Sequence, residues 1–273
     1  MLRSDFHMHS NFSGDSQAAL GHMIHGAVAK GMQIICFTDH NDPSFPYRKG
    51  EEGMFDLDTN RYMECLKQTT ELYKDNIEIR RGVEIGIQTH IYKELSEYIL
   101  NYPFDFVIAS SHLCLGTDPY YPTFWEERSL KDGLQVYFED IRKNVHSFTD
   151  YDVYGHLDYI VRYAPGQNKD FRFGDYYDIL EDILKTIIQS GKGIEVNSAG
   201  FRQGLNTPNP CVDILKLYRT LGGEIITVGS DAHKPEDIAS DFDQVETLLL
   251  NCGFKYYSIF KNRTPEFIKI DTI

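Results

Sequence analysis

The sequence has no apolar run long enough to cross a bilayer as a helix, and its first residues lack the apolar core of a secretion signal. It is poor in positive charge: 27 lysines and arginines stand against 41 aspartates and glutamates, for a formal net charge of −14. The two most basic stretches, Ile79–Gly82 and Phe260–Arg263, are short. This balance argues against a nucleic-acid partner, which needs a concentrated basic surface. Part of the excess acid is expected to be neutralised by bound divalent cations. The five cysteines (36, 65, 114, 211 and 252) are odd in number and never spaced as C-x-x-C. That argues against a disulfide framework and fits a reducing compartment, so a cytoplasmic location is expected. Neither a G-x-x-x-x-G-K nucleotide cradle nor a G-x-S-x-G elbow occurs, which argues against a serine nucleophile. No Pro/Gly/Ser-rich linker, repeat or low-complexity tract divides the chain, so residues 1–273 read as one domain. Oligomeric state leaves no signal.

What the sequence does contain is alternation. Strand-like segments are expected at Asp5–His9, Ile34–Phe37, Ile77–Ile85, Phe104–Ala109, Val153–Gly155, Ile194–Asn197 and Ile225–Gly229. Helical stripes separate them at Ser16–Lys30, Thr59–Tyr73, Tyr92–Leu100, Leu130–Phe148, Leu180–Ile188 and Cys211–Leu221. A last strand-bearing segment begins near Phe254. About seven such units predict a parallel sheet, because parallel strands require crossover connections.

Polar groups recur where these strands should end: His7-x-His9, Thr38-Asp-His40, Gly82-Val-Glu84, Ser111-His112, Gly155-His156 and Gly229-Ser-Asp231-Ala-His233. His7 and His9, two apart on a strand, point to the same face. A closed barrel gathers all its C-terminal strand ends around one mouth, whereas an open sheet uses mainly one switch point. The pattern therefore predicts an α/β barrel and a metal-dependent hydrolase.

In this order, these motifs resemble the polymerase-and-histidinol-phosphatase (PHP) superfamily over nearly the whole chain. The segments Tyr159–Arg162 and Glu195–Arg202 look most like its stand-alone histidinol-phosphate phosphatases. The resemblance implies a distorted (β/α)7 barrel holding three divalent cations: zinc, iron or manganese. It places His7, His9, Glu84 and Asp231 on the first cation, a bridging Glu84 with His112 and His156 on the second, and Asp15, His40 and His233 on the third. Asp15 also reads as a helix N-cap ahead of Ser16.

Arg162 and Arg202 follow strands on the ligand-bearing side, and a guanidinium offers a bidentate fork for a phosphate dianion. The resemblance likewise puts phosphate-binding arginines in these regions. It implies a metal-dependent phosphomonoesterase acting on a small molecule, with L-histidinol phosphate as the foremost substrate and solvent as the nucleophile. Asp231 or His233 is expected to move the leaving-group proton. Other small-molecule phosphoesters, a nucleic acid or a phosphotyrosine protein are the alternative substrates. Asp5, Asp39 and Asp158 are candidates for fixing an imidazole tautomer. His22, His25, His90 and His146 lack motif context and read as surface or packing residues. The loop of residues 113–129, with Tyr120, Tyr121, Phe124 and Trp125, reads equally as a lid or as ordinary packing.

Overall fold

The computed structural model describes residues 1–126, 128–166, 169 and 171–270. Seven parallel strands run in the order β1 (Ser4–Met8), β2 (Ile34–Phe37), β4 (Glu78–Gly86), β5 (Phe106–Ser110), β6 (Val153–Tyr154), β7 (Gly193–Asn197) and β8 (Ile226–Gly229), and a two-residue strand β3 (His40–Asn41) pairs beside β4. The outer helices are α1 (Leu20–Ala29), α2 (Thr59–Tyr73), α3 (Tyr92–Asn101), α4 (Leu130–Ser147), α5 (Tyr177–Gln189), α7 (Val212–Thr220) and α8 (Phe242–Asn251), with a single turn, α6 (Ala199–Arg202), after β7. None of the described helices is long and apolar enough to cross a membrane. The inner strands are Val/Ile/Phe-rich and buried along their length, as expected where helices cover a parallel sheet.

The ring closes just beyond the end of β8. Met8 bridges Ala232, the Asp231 amide donates to the His7 carbonyl (2.8 Å), and the His9 amide donates to the Ala232 carbonyl (2.9 Å). Asp5 secures this seam, accepting from the Ser230 amide (2.9 Å), the Ser230 hydroxyl (2.5 Å) and the Ala239 amide (3.0 Å). Asp5 therefore orients backbone and no imidazole. Gly229 is needed here because a Cβ would stand 2.3 Å from that of His7.

The predicted terminal segment is an antiparallel hairpin, β9 (Tyr256–Lys261) and β10 (Thr264–Lys269), set against the N-terminal ends of the barrel strands. Phe260 packs on Phe106 (5.0 Å between centroids), Ser258 accepts from the Ile226 amide (3.3 Å), and the Asn262 amide donates to Asp105 (3.2 Å). One end of the barrel is thus plugged, leaving the other as the site.

Two local predictions need correction. The first helix starts at Leu20, not Ser16: the Asn11 amide donates to the Ala18 carbonyl (2.8 Å), Ser16 donates to the His233 carbonyl (2.8 Å), and Ala19 is extended at ψ 147°. Asp15 is consequently no N-cap. The strand Ile34–Phe37 also resumes after Thr38-Asp39 as β3, whose register sets His40 beside Glu84.

Candidate metal centre

All nine expected ligands converge on the C-terminal mouth. Glu84, fully buried on β4, lies at the centre of the cluster. Its Oε2 faces His40 Nδ1 (2.9 Å), His7 Nε2 (3.2 Å) and His9 Nε2 (3.6 Å). Its Oε1 faces His156 Nε2 (2.9 Å) and His112 Nε2 (3.1 Å) and accepts from Ser110 (2.7 Å). One carboxylate therefore reaches two groups of imidazoles.

The donor set fits cations. His7 Nε2 lies 3.1 Å from His9 Nε2 and 3.7 Å from Asp231 Oδ1, which is 3.5 Å from His9 Nε2. Tetrahedral bonds of about 2.0–2.1 Å require donor separations of about 3.3 Å, so these atoms are spaced as one cation needs them. In the third group, Asp15 Oδ2 stands 3.1 Å from His233 Nε2 and 3.5 Å from His40 Nε2. Glu84 Oε2 and His233 Nε2 are buried with no hydrogen bond of good geometry among the described residues. Atoms of this kind are costly to leave unsatisfied without a ligand.

Electrostatics point the same way. Burial alone would raise the Glu84 and Asp231 carboxyls, yet His7, His112 and His40 hold Glu84 well below the usual range, and His7, His9 and Arg162 do so for Asp231. Burial, then the neighbouring His233 and His40, keeps His9 well below the ordinary imidazole value; burial also lowers His156. Ionised carboxylates and neutral imidazoles are the ligand forms; the carboxylates around His7, His40, His112 and His233 raise those four imidazoles, positive charge that bound cations would replace. Asp231 itself has φ 55°, in the left-handed region that non-glycine residues seldom enter, at a cost of about 1–3 kcal/mol.

Two orienting carboxylates went unnoticed in the sequence. Glu195 on β7 accepts from His7 Nδ1 (2.6 Å) through one oxygen and from the His156 amide (2.9 Å) through the other. Asp42 accepts from His112 Nδ1 (2.6 Å). Each leaves its histidine's Nε2 as the lone-pair nitrogen facing the cage. Glu195 is an acid within the buried run Gly-Ile-Glu-Val-Asn, whereas Asp42, two residues beyond His40, has partly exposed neighbours and carries no such signal.

Two of the proposed orienting acids serve other groups. Asp39 takes the amides and hydroxyls of Ser10 and Ser13, and touches an imidazole only through Ser13, whose hydroxyl lies 3.0 Å from His9 Nδ1. Asp158, pushed up to about 6 by burial despite bonds from Asn209 and the Cys211 amide, holds Asn209 (2.5 Å).

The arginines differ from each other. Arg162 is buried and donates through Nε to Asn209 (2.8 Å), Nη1 to Asp231 Oδ2 (3.0 Å) and Nη2 to Asn197 (3.0 Å). Three of its five N–H groups are thus committed, one of them to Asp231. Arg202 donates Nη2 to the Ser230 and Asp231 carbonyls (2.8 and 3.1 Å), while its buried Nη1 has no hydrogen-bond partner among the described residues. Both line a cavity of about 380 Å³ that includes Asp15, His40, Glu84, His112, His156, Asp231 and His233.

The remaining histidines stay apart: His25 bonds Tyr73 (2.9 Å) and His146 bonds the Arg142 carbonyl (2.8 Å), while His22 lies on α1 and His90 in a short turn before α3. In the 113–129 loop, Phe124 is buried and Trp125 packs beside it (5.0 Å) and bonds the Pro119 carbonyl (3.0 Å), whereas Tyr120 is exposed; Glu127 lies outside the described residues. Phe124 and Trp125 therefore serve packing.

A β/α barrel with a polynuclear cation cage at its C-terminal mouth defines a metal-dependent hydrolase of barrel type. The chain belongs to the PHP domain family, whose model matches residues 5–199. It is 32% identical over 262 residues to the histidinol-phosphatase of Lactococcus lactis subsp. lactis (strain IL1403), covering 95% of each chain. A probable histidinol-phosphatase of Clostridium acetobutylicum is 29% identical, covering 92% of this chain and 94% of that protein. Among solved structures, the L. lactis histidinol phosphate phosphatase complexed with zinc, L-histidinol and phosphate superposes with a TM-score of 0.89 at 30% identity, covering 97% of this chain and 98% of that one.

Proposed function

We propose that this protein is a histidinol-phosphatase, hydrolysing L-histidinol phosphate to L-histidinol and phosphate in histidine biosynthesis, with residues 1–273 acting as one catalytic domain. The observation that supports this best is the two-sided engagement of Glu84, one oxygen toward His7, His9 and His40 and the other toward His112 and His156. The near full-length likeness to histidinol-phosphatases supports the substrate.

Three divalent cations are assigned to the cage: one with His7, His9, Glu84 and Asp231, a second with Glu84, His112 and His156, and a third with Asp15, His40 and His233. Such cations, zinc, iron or manganese, supply Lewis acidity toward phosphoryl oxygens and activation of water. The chain's own groups complete the site. Arg202 Nη1, buried and without a hydrogen-bond partner among the described residues, binds the phosphate dianion, and the two N–H groups of Arg162 uncommitted among those residues assist. Arg162 and Asn197 hold Asp231 Oδ2, leaving Oδ1 toward the cage and 3.7 Å from His233 Nδ1. Proton transfer to the leaving alcohol is assigned to this Asp231–His233 pair.

The substrate reading entails a cytoplasmic protein with a small-molecule substrate and no nucleic-acid partner. Phosphate release measured on L-histidinol phosphate, other phosphomonoesters and a single-stranded DNA tests it. Preference for L-histidinol phosphate is expected, with loss on chelation and recovery on adding zinc, iron or manganese. Turnover confined to other esters or to DNA overturns the assignment.

A further inference from the structure

The cavity contains more than phosphate chemistry requires. Two aromatic walls lead away from the cage. On one side Phe55 contacts the His40 ring (5.4 Å) and Phe45 contacts Phe55 (4.8 Å). On the other, Tyr159 contacts the His156 ring (4.9 Å) and Tyr163 contacts Tyr159 (5.0 Å). All four aromatics line the cavity. A flat organic group beside the phosphate would meet ring surface on both sides.

Asp118 lines the same cavity. Each of the other lining carboxylates already has a cationic or imidazole neighbour: Asp15, Glu84 and Asp231 face the cage histidines, Asp42 holds His112, and Asp237 lies 3.6 Å from Arg202. Asp118 has none within ion-pairing distance among the described residues. Among the described residues its side chain accepts one hydrogen bond, from the Tyr120 amide (2.8 Å), which fixes Oδ1 and leaves Oδ2 uncommitted. The nearby cation Arg48 lies instead over the Tyr121 ring, 3.4 Å from its centroid. Asp118 does feel His112, Asp42 and Arg48, and its charge reaches Tyr159 and Tyr163, so it belongs to the wall joining cage and rings.

We propose that Asp118 determines specificity, its carboxylate taking a protonated nitrogen of the leaving alcohol while the phosphate lies at the cage. This rests on the phosphatase reading above and adds the side chain that selects among phosphomonoesters. A partly buried carboxylate with no counter-ion gains most from a cation delivered by the substrate; burial already pushes its carboxyl up to about 6. Aromatic walls and a single free acid would thus discriminate among esters that share the same phosphate.

The test compares kcat/KM for L-histidinol phosphate with that for neutral n-propyl phosphate, in the metal-loaded wild type and in Asp118→Asn. Asparagine keeps an oxygen to accept from the Tyr120 amide, so the turn is preserved. The ratio is expected to fall about 10- to 100-fold, the cost of a hydrogen bond to a charged group, mainly through KM, and Asp118→Glu should restore part of it. Inhibition by L-histidinol, which has no phosphate, should weaken in parallel. The ratio for 2-aminoethyl phosphate, with the ammonium but no ring, and for 2-(imidazol-4-yl)ethyl phosphate, with the ring but no ammonium, shows which nitrogen Asp118 takes; sensitivity of either supports the proposal. An unchanged ratio in Asp118→Asn, with the wild-type preference intact, overturns the role of Asp118 alone. A wild type with no preference for L-histidinol phosphate contradicts the substrate reading and removes the proposal with it.

Discussion

The two ends of the barrel both bury charge, in opposite ways. At the plugged end, acids are matched within the fold. Asp105 takes the Arg81 amide (3.0 Å) and Nε (3.1 Å) as well as the Asn262 amide, while Asp152 takes the Val107 amide (2.9 Å) and pairs with Arg263. Exceptions there are Arg80 Nε, Tyr151 Oη and Glu246 Oε1, which have no hydrogen bond of good geometry among the described residues, although Glu246 Oε1 lies 2.7 Å from the Met1 amine. At the open end, six imidazoles and several carboxylates converge, and Glu84 Oε2, His40 Nδ1, His233 Nε2 and Arg202 Nη1 have no hydrogen bond of good geometry among the described residues. Burying charge is common to structure and function; leaving it convergent and unsatisfied marks the functional end.

Mutations separate the two ends. The largest effect is expected at Glu84: Glu84→Ala should cut turnover about a thousandfold or more by disorganising two cation positions at once, while far-ultraviolet dichroism stays native. Next comes Glu195→Gln, which weakens the hold on His7; metal affinity, measured by competition with a chelator, should fall about 10- to 100-fold. Arg202→Ala should raise KM about tenfold through lost phosphate contact, with a smaller change in kcat. The smallest catalytic effect belongs to the plugged end. Asp152→Asn should lower stability by about 1–3 kcal/mol in a denaturant titration and leave kcat/KM and metal content alone. If Asp152→Asn instead emptied the cage, the division between the ends would be broken.

Much of this was legible in the residues. Long apolar runs located the strands to within a residue or two, and the ordered histidine and acid motifs named the cage, because a parallel barrel puts every strand's C-terminal end at one mouth. Glu195 is hidden for a definite reason. On a strand buried on both faces, hydropathy does not alternate, so whether Glu195 points toward His7 is not written in Gly-Ile-Glu-Val-Asn. Asp5 and Asp158 are expected beside imidazoles because each lies two residues from a histidine of the motifs, His7 and His156. The backbone and amide groups they serve, Ser230, Ala239, Asn209 and Cys211, are distant in sequence. Helix α1 starts four residues later than expected because Ser16 and its neighbours suit a helix start, whereas tertiary bonds hold them outside the helix.

Metal content per chain, measured after zinc loading and dialysis of the wild type and of Glu84→Ala, tests the central claim most directly. A single carboxylate shared between two groups of imidazoles predicts about three zinc ions in the wild type and one in the variant. Equal zinc content in the two proteins would contradict it.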